Sequence, residues 1–183
     1  MKTLIILLLF AVATTVGQAQ ELTHLEEVKV EKAPAKLKYF KTNNQVVIKV
    51  DRAYILEFTK NPIGFMNDHF DIHRLIATLD NSRINEYEVT LSSQKGFMVA
   101  NFDKKGNLLK TYQNFNDVLL PYDMRNQLYN SYKGWTMTKN KYKATTKGVI
   151  LNKETYRVTL QFGNRKQHVK IDGNNVGTVV ARN

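Results

Sequence analysis

The 183-residue chain has no cysteine, three prolines and a single tryptophan. Without cysteine there are no disulfides, no thiolate metal centres, no cysteine nucleophile and no lipid anchor on an N-terminal cysteine. Phosphate-cradling patterns are missing too, since neither Gly-x-x-x-x-Gly-Lys nor Gly-x-Gly-x-x-Gly occurs, which argues against nucleotide-using enzymes. Ser82, Ser92, Ser93 and Ser131 have no Gly-x-Ser-x-Gly context, so a serine hydrolase lacks its strained nucleophile turn. No His-Glu-x-x-His motif is present, and no motif asks for a cofactor. Together these absences point away from catalysis.

What the chain does have begins at its N-terminus. Lys2 precedes the apolar run Leu4–Ala13, followed by small and polar residues up to Gly17-Gln18-Ala19. This is the layout of a cleaved signal peptide, with the cut expected after Ala19. The run is about half the roughly twenty residues of a spanning helix, and no later stretch supplies a transmembrane segment. A cysteine-free exported chain is expected in the periplasm or outer envelope of a bacterium, or secreted. It must fold on packing alone.

Charge is distributed unevenly. Residues 20–116 carry 14 Lys and Arg against 12 Asp and Glu, whereas residues 117–183 carry 12 against 4. A basic C-terminal third favours anionic partners, an acidic protein or an envelope component. Nucleic acid is not expected, because an exported protein rarely meets it.

An internal repeat organises the rest. Shifting the chain by 69 residues lays Tyr87-Glu-Val-Thr-Leu91 on Tyr156-Arg-Val-Thr-Leu160 and Phe102-Asp103 on Ile171-Asp172. Apolar residues alternate in both copies, and Ala100 and Phe102 match Val169 and Ile171 on a returning strand. Gln94-Lys95-Gly96 and Gly163-Asn164 supply the turns. Each copy is therefore a hairpin with one buried face. Third strands are expected at 107–115 and 176–181, and Asp103 and Asp172 are expected to accept hydrogen bonds from the backbone that follows them.

A proline introduces a helix ahead of each hairpin. One is expected over 62–79, with Phe65, Met66, Phe70, Ile72, Ile76 and Leu79 as its stripe; the other over 121–132, with Met124, Leu128 and Tyr132. A further strand is expected over 135–146, and residues 28–58 read as β-rich, with strands at 45–50 and 53–58. The fold class is α+β: a tandem repeat of a helix followed by an antiparallel β-sheet, with an N-terminal β-rich segment. The division is signal peptide 1–19, N-terminal segment 20–59, first repeat 60–116 and second repeat 117–183.

The run GFMVANFDKKGNLLKTYQNFNDVLLP (96–121), a helix, YKGWTMTKNKYKATTKG (132–148) and a Tyr-x-Val strand resemble the PepSY-like, or β-lactamase-inhibitor-like, family of exported Bacteroidetes proteins. The resemblance covers roughly residues 60–183 and leaves 20–59 outside. It implies tandem helix-plus-sheet repeats and a non-catalytic, inhibitory or binding role. Its motif is structural and carries no functional residues.

The copies differ on their outer faces. Glu88, Thr90 and Asn101 are replaced by Arg157, Thr159 and Lys170, and Lys139, Lys141 and Lys143 alternate in the neighbouring strand. With Arg165 they form the candidate binding patch, with Tyr142 and Trp135 as aromatic neighbours. The plainer reading is a solvated face whose lysines protect an edge strand. His69 and His73, one turn apart, could approach a metal with Asp68 or Asp71, although two histidines are not a site and no metal is expected. His168 belongs to the outer face of the last hairpin, and His24 lies near the N-terminus. The expected function is an exported, non-enzymatic binding or inhibitor-like module. The alternatives are a structural or adhesive envelope protein, and a metal-dependent enzyme using His69 and His73.

Overall fold

The computed structural model describes residues 39–42, 45–79, 85–173 and 179–182. The signal peptide, its cleavage site and the β-rich reading of 28–38 lie outside the described residues. Within them the chain is α+β. One mixed sheet holds nine strands in sequence order: β1 (Tyr39–Thr42), β2 (Gln45–Lys49), β3 (Glu86–Ser93), β4 (Gly96–Asp103), β5 (Leu108–Asn116), β6 (Thr136–Lys147), β7 (Ile150–Phe162), β8 (Arg165–Asp172) and β9 (Val179–Arg182). Neighbours are antiparallel except β2 and β3, which run parallel. A parallel pair needs a crossover, made here by a 3-10 turn at Arg52–Tyr54 and the helices α1 (Ile55–Lys60), α2 (Pro62–His69) and α3 (Ile72–Leu79). Helix α4 (Tyr122–Ser131) stands between β5 and β6.

The expected hairpins are present with their expected faces. Tyr87, Val89 and Leu91 are buried opposite Phe102, Ala100 and Met98, and Tyr156 and Val158 opposite Ile171 and Val169. All lie on the face the helices cover. Phe58, Phe65, Met66 and Ile72 pack on β2–β5, while Met124 and Leu128 pack on β7 and β8. Val118 and Tyr142 touch both clusters.

Two expectations near the N-terminus are corrected. Residues 53–58 are not a strand: Asp51 accepts a hydrogen bond from the Ala53 N–H at 3.0 Å and opens a helical turn. Tyr54, Ile55 and Phe58 then fall at helical spacing, with Phe58 fully buried. Nor is 62–79 one helix. Phe70 is extended (φ −137°, ψ 126°), and Asp71 restarts the chain by accepting from the His73 and Arg74 N–H groups at 2.9 and 3.1 Å. An aspartate offers the backbone this alternative to a continuous helix. Pro62 begins α2 as expected, behind Asn61, whose side chain accepts from the Gly64 N–H.

Asp103 works as a turn aspartate. Its Oδ1 accepts from the Lys105 and Asn107 N–H groups, and its Oδ2 from the Asn107 side chain. That side-chain bond, with the backbone bonds, holds the carboxyl below its usual range. A depressed folded-state pKa stabilises the fold above the group's ordinary value, and the benefit disappears as pH falls through the folded value. Asp103→Asn is therefore expected to lower the melting temperature at neutral pH, with the gap from the native protein closing below about pH 4, as thermal melts across the acid range will show. Asp172 serves differently, accepting from the Thr155 hydroxyl and the Lys170 ammonium.

Candidate binding face

The outer face of β6–β8 is set by strand parity. Asn140, Ala144 and the half-buried Tyr142 point to the helices, so Lys139, Lys141 and Lys143 point away and are exposed. Register then assembles rows across the strands: Lys139 faces Thr159 and His168, Lys141 faces Arg157 and Lys170, and Lys143 faces Thr155 and Asp172. Like charges opposite one another in a sheet repel. The row Lys141–Arg157–Lys170 therefore carries an unfavourable field that a bound anion relieves.

These side chains border a hollow of about 290 Å³, with Lys141, Lys143, Lys153, Arg157 and Lys170 around Thr145 and Thr155, and Tyr112 on the β5 side. Lys170 is engaged by Asp172 at 3.0 Å. Asp172 is held below the usual carboxylate range, first by its bond from Lys170 and also by that from Thr155. Lys170 is thus tethered to the rim and its charge is partly answered. His168 Nδ1 lies 3.1 Å from the Thr159 hydroxyl, beside Lys139.

Arg165 does not join this face. It shares the parity of Val169 and Ile171, so its guanidinium lies on the helix side, 5.2 Å from the Phe162 ring centre and 5.8 Å from that of Trp135. The expected aromatic neighbours are also on that side. Tyr142 stacks on Phe115 and meets Tyr156 at a tilt, and Trp135 packs with Tyr132 and Phe162. Burial, reinforced by the Glu154 carboxylate, pushes both the Tyr142 and Tyr156 phenols up, so they act as neutral hydrogen-bonding groups. The aromatic that does border the hollow is Tyr112, and the cation not foreseen is Lys153. Both were open to the same period-two reading, as 153 shares the parity of 157.

His69 and His73 fall on separate helices. His69 contacts Glu57 at 3.2 Å and packs against Phe65 and Tyr54, while the His73 ring lies against Gly106 in the β4–β5 turn. Among the described residues no three His, Asp or Glu side chains gather closely enough to hold a metal, and no helix is long and apolar enough to cross a membrane.

No family model, curated protein or solved structure matches the chain.

Proposed function

We propose that this protein is an exported, non-enzymatic binding or inhibitor-like module whose outer sheet face at β6–β8 takes an anionic partner, a protein or an envelope surface. One observation carries the reading: Lys141, Arg157 and Lys170 stand in one row, with Lys143 and Lys153 beside them, around a hollow on the face opposite both cores. The concentration of positive charge in residues 117–183 supports it. So does a tandem arrangement in which 60–116 and 117–183 are copies of one helix-plus-sheet unit, the second having exchanged Glu88 and Asn101 for Arg157 and Lys170. The PepSY-like resemblance agrees with such repeats and with a non-catalytic role. Export through the 1–19 signal peptide places the protein in the periplasm or outside the cell.

The test is a pull-down from envelope extract with residues 20–183, set beside a variant in which Lys139, Lys141, Lys143, Arg157 and Lys170 are changed to Gln. All five are surface positions, so the variant is expected to keep the native circular dichroism. The native protein is expected to capture one species that the variant binds about tenfold or more weakly, with the difference narrowing at high salt. Equal capture by both proteins would show the face to be merely solvated.

A further inference from the structure

The β6–β7 hairpin ends in an arrangement that the basic face does not explain. Its turn reads Lys147-Gly148-Val149-Ile150-Leu151-Asn152-Lys153. Gly148 takes φ +55° at the first turn position, where a two-residue hairpin of the II′ kind wants glycine. Turns are ordinarily polar, yet three aliphatic side chains follow it here. Val149 is 68% exposed, Ile150 73% and Leu151 46%. Leu109, also exposed, lies beside the tip, its carbonyl accepting from the Gly148 N–H at 2.7 Å. Consecutive apolar residues left in water at a hairpin turn cost solvation with no return inside the fold.

The tip projects. The last residue of β8, Asp172, pairs with Thr155, and β7 continues back from there to Ile150. Five residues of strand reach roughly 17 Å past that pairing. Lysines surround the apolar end: Lys147 and Lys153 flank it, Lys110 stands opposite Lys147 in register, and the exposed Lys104 and Lys105 occupy the β4–β5 turn at the same end of the sheet. The Lys110–Lys147 pair sets like charges directly across two strands, which is unfavourable unless an external anion answers them. Among the described residues the carboxylates near this end include Glu86, Asp103, Glu154 and Asp172, the last held by Thr155 and Lys170 and within reach of the Lys153 charge. Asp103 is occupied by its own turn and Glu154 by the Tyr156 hydroxyl.

We propose that this tip is a membrane-docking element. Val149, Ile150 and Leu151 enter the boundary between head groups and acyl chains of an anionic phospholipid bilayer, and the surrounding lysines meet the lipid phosphates. Size favours a bilayer over a protein partner. A specific protein interface buries about 800 Å² on each side, more than three aliphatic residues at a turn offer, whereas interfacial insertion needs a depth of only about 5–10 Å. Apolar insertion and lysine attraction then add at one point of the molecule. The inference does not rest on the Lys141–Arg157–Lys170 face, because those residues can be changed with the tip intact.

The experiment is co-sedimentation of residues 20–183 with vesicles of phosphatidylcholine alone and of phosphatidylcholine mixed with phosphatidylglycerol. The native protein is expected to partition strongly onto the mixed vesicles only. Changing Val149, Ile150 and Leu151 to Ser is expected to weaken that partition by about tenfold or more without lowering the melting temperature, since none of the three side chains is buried. In an Ile150→Trp variant the added emission is expected to shift to the blue and to be quenched by brominated lipid. A variant with Lys141, Arg157 and Lys170 changed to Gln is expected to sediment as the native protein does. The proposal is overturned if the native protein stays in the supernatant, if the triple Ser variant sediments equally well, or if that outer-face variant alone abolishes binding. It is also overturned if the tip substitutions alter the protein's mass in analytical ultracentrifugation instead, which would make the tip a contact between copies.

Discussion

Phe58→Ala is expected to lose about 3–5 kcal/mol of stability, the largest effect of any single substitution considered. Phe58 is fully buried, meets Phe115 edge-on at 5.1 Å and packs against Phe65 at 5.3 Å. It ties α1 to the middle of the sheet, and through Phe65 it anchors α2 as well. Truncation leaves a cavity beneath short helices that cannot close over it, because α1 has six residues and only Asn61 separates it from Pro62. Aromatic pairs also contribute about 0.5–1.5 kcal/mol beyond their buried area. Urea titration should show the midpoint falling sharply, with the melting temperature lower by roughly 10 °C or more. Phe58→Leu, which fills most of the space, should recover over half of the loss. A single transition is expected in both variants, since Val118 and Tyr142 join the two clusters across one continuous sheet. Two separated transitions would mean that the halves fold independently.

Phe58 also shows where reading the sequence reaches its limit. Ala53–Phe58 is rich in Tyr, Ile, Leu and Phe, residues that short strands favour, and periodicity cannot separate a six-residue strand from a helical turn. Tertiary packing decided, assisted by Asp51 at the start. The same kind of side-chain cap at Asp71 divided a stripe that had the right spacing for one helix over 62–79. Strands β3, β4, β7 and β8 were legible because their alternation is long enough to fix a face, and one face had to be buried. Parity likewise determines which cations share a surface: Lys141, Arg157 and Lys170 come together by it, and Arg165 is placed on the other side by it. The apolar tip was not legible as a feature at all. Val149, Ile150 and Leu151 fall between the strand expected over 135–146 and the hairpin beginning at Tyr156, and only the structure shows that they close the β6–β7 hairpin beyond β8 with their side chains exposed.

Asn140→Ala is expected to cost about 2–3 kcal/mol, although the residue touches neither core centre. Asn140 is buried in β6, where its Oδ1 accepts from the Val118 N–H at 3.0 Å and its Nδ2 donates to the Val118 carbonyl at 2.9 Å. One side chain thereby satisfies both backbone groups of the residue that leads from β5 towards α4. Two further bonds run through the Asn140 backbone: Asp117 N–H donates to its carbonyl, and its own N–H donates to the Asp117 carboxylate. Asp117 itself sits at φ +50°, a conformation held by this bracket. Alanine keeps the backbone bonds but leaves the Val118 N–H and carbonyl without partners in a half-buried place, and it is that orphaning which sets the cost. Asn140→Asp separates the two bonds. Its carboxylate can still accept from the Val118 N–H but faces the Val118 carbonyl with no donor, so folding favours the protonated acid, which restores one. The stability deficit of Asn140→Asp should therefore shrink as pH falls, whereas that of Asn140→Ala should stay constant, a contrast that urea titrations at neutral and mildly acidic pH will reveal. Lys139 and Lys141 flank Asn140 on the opposite face, and while the chain remains folded their parity is unchanged. Neither variant is expected to weaken capture by the basic face below its melting temperature, which separates a bond that holds the two halves together from the residues proposed to meet the partner.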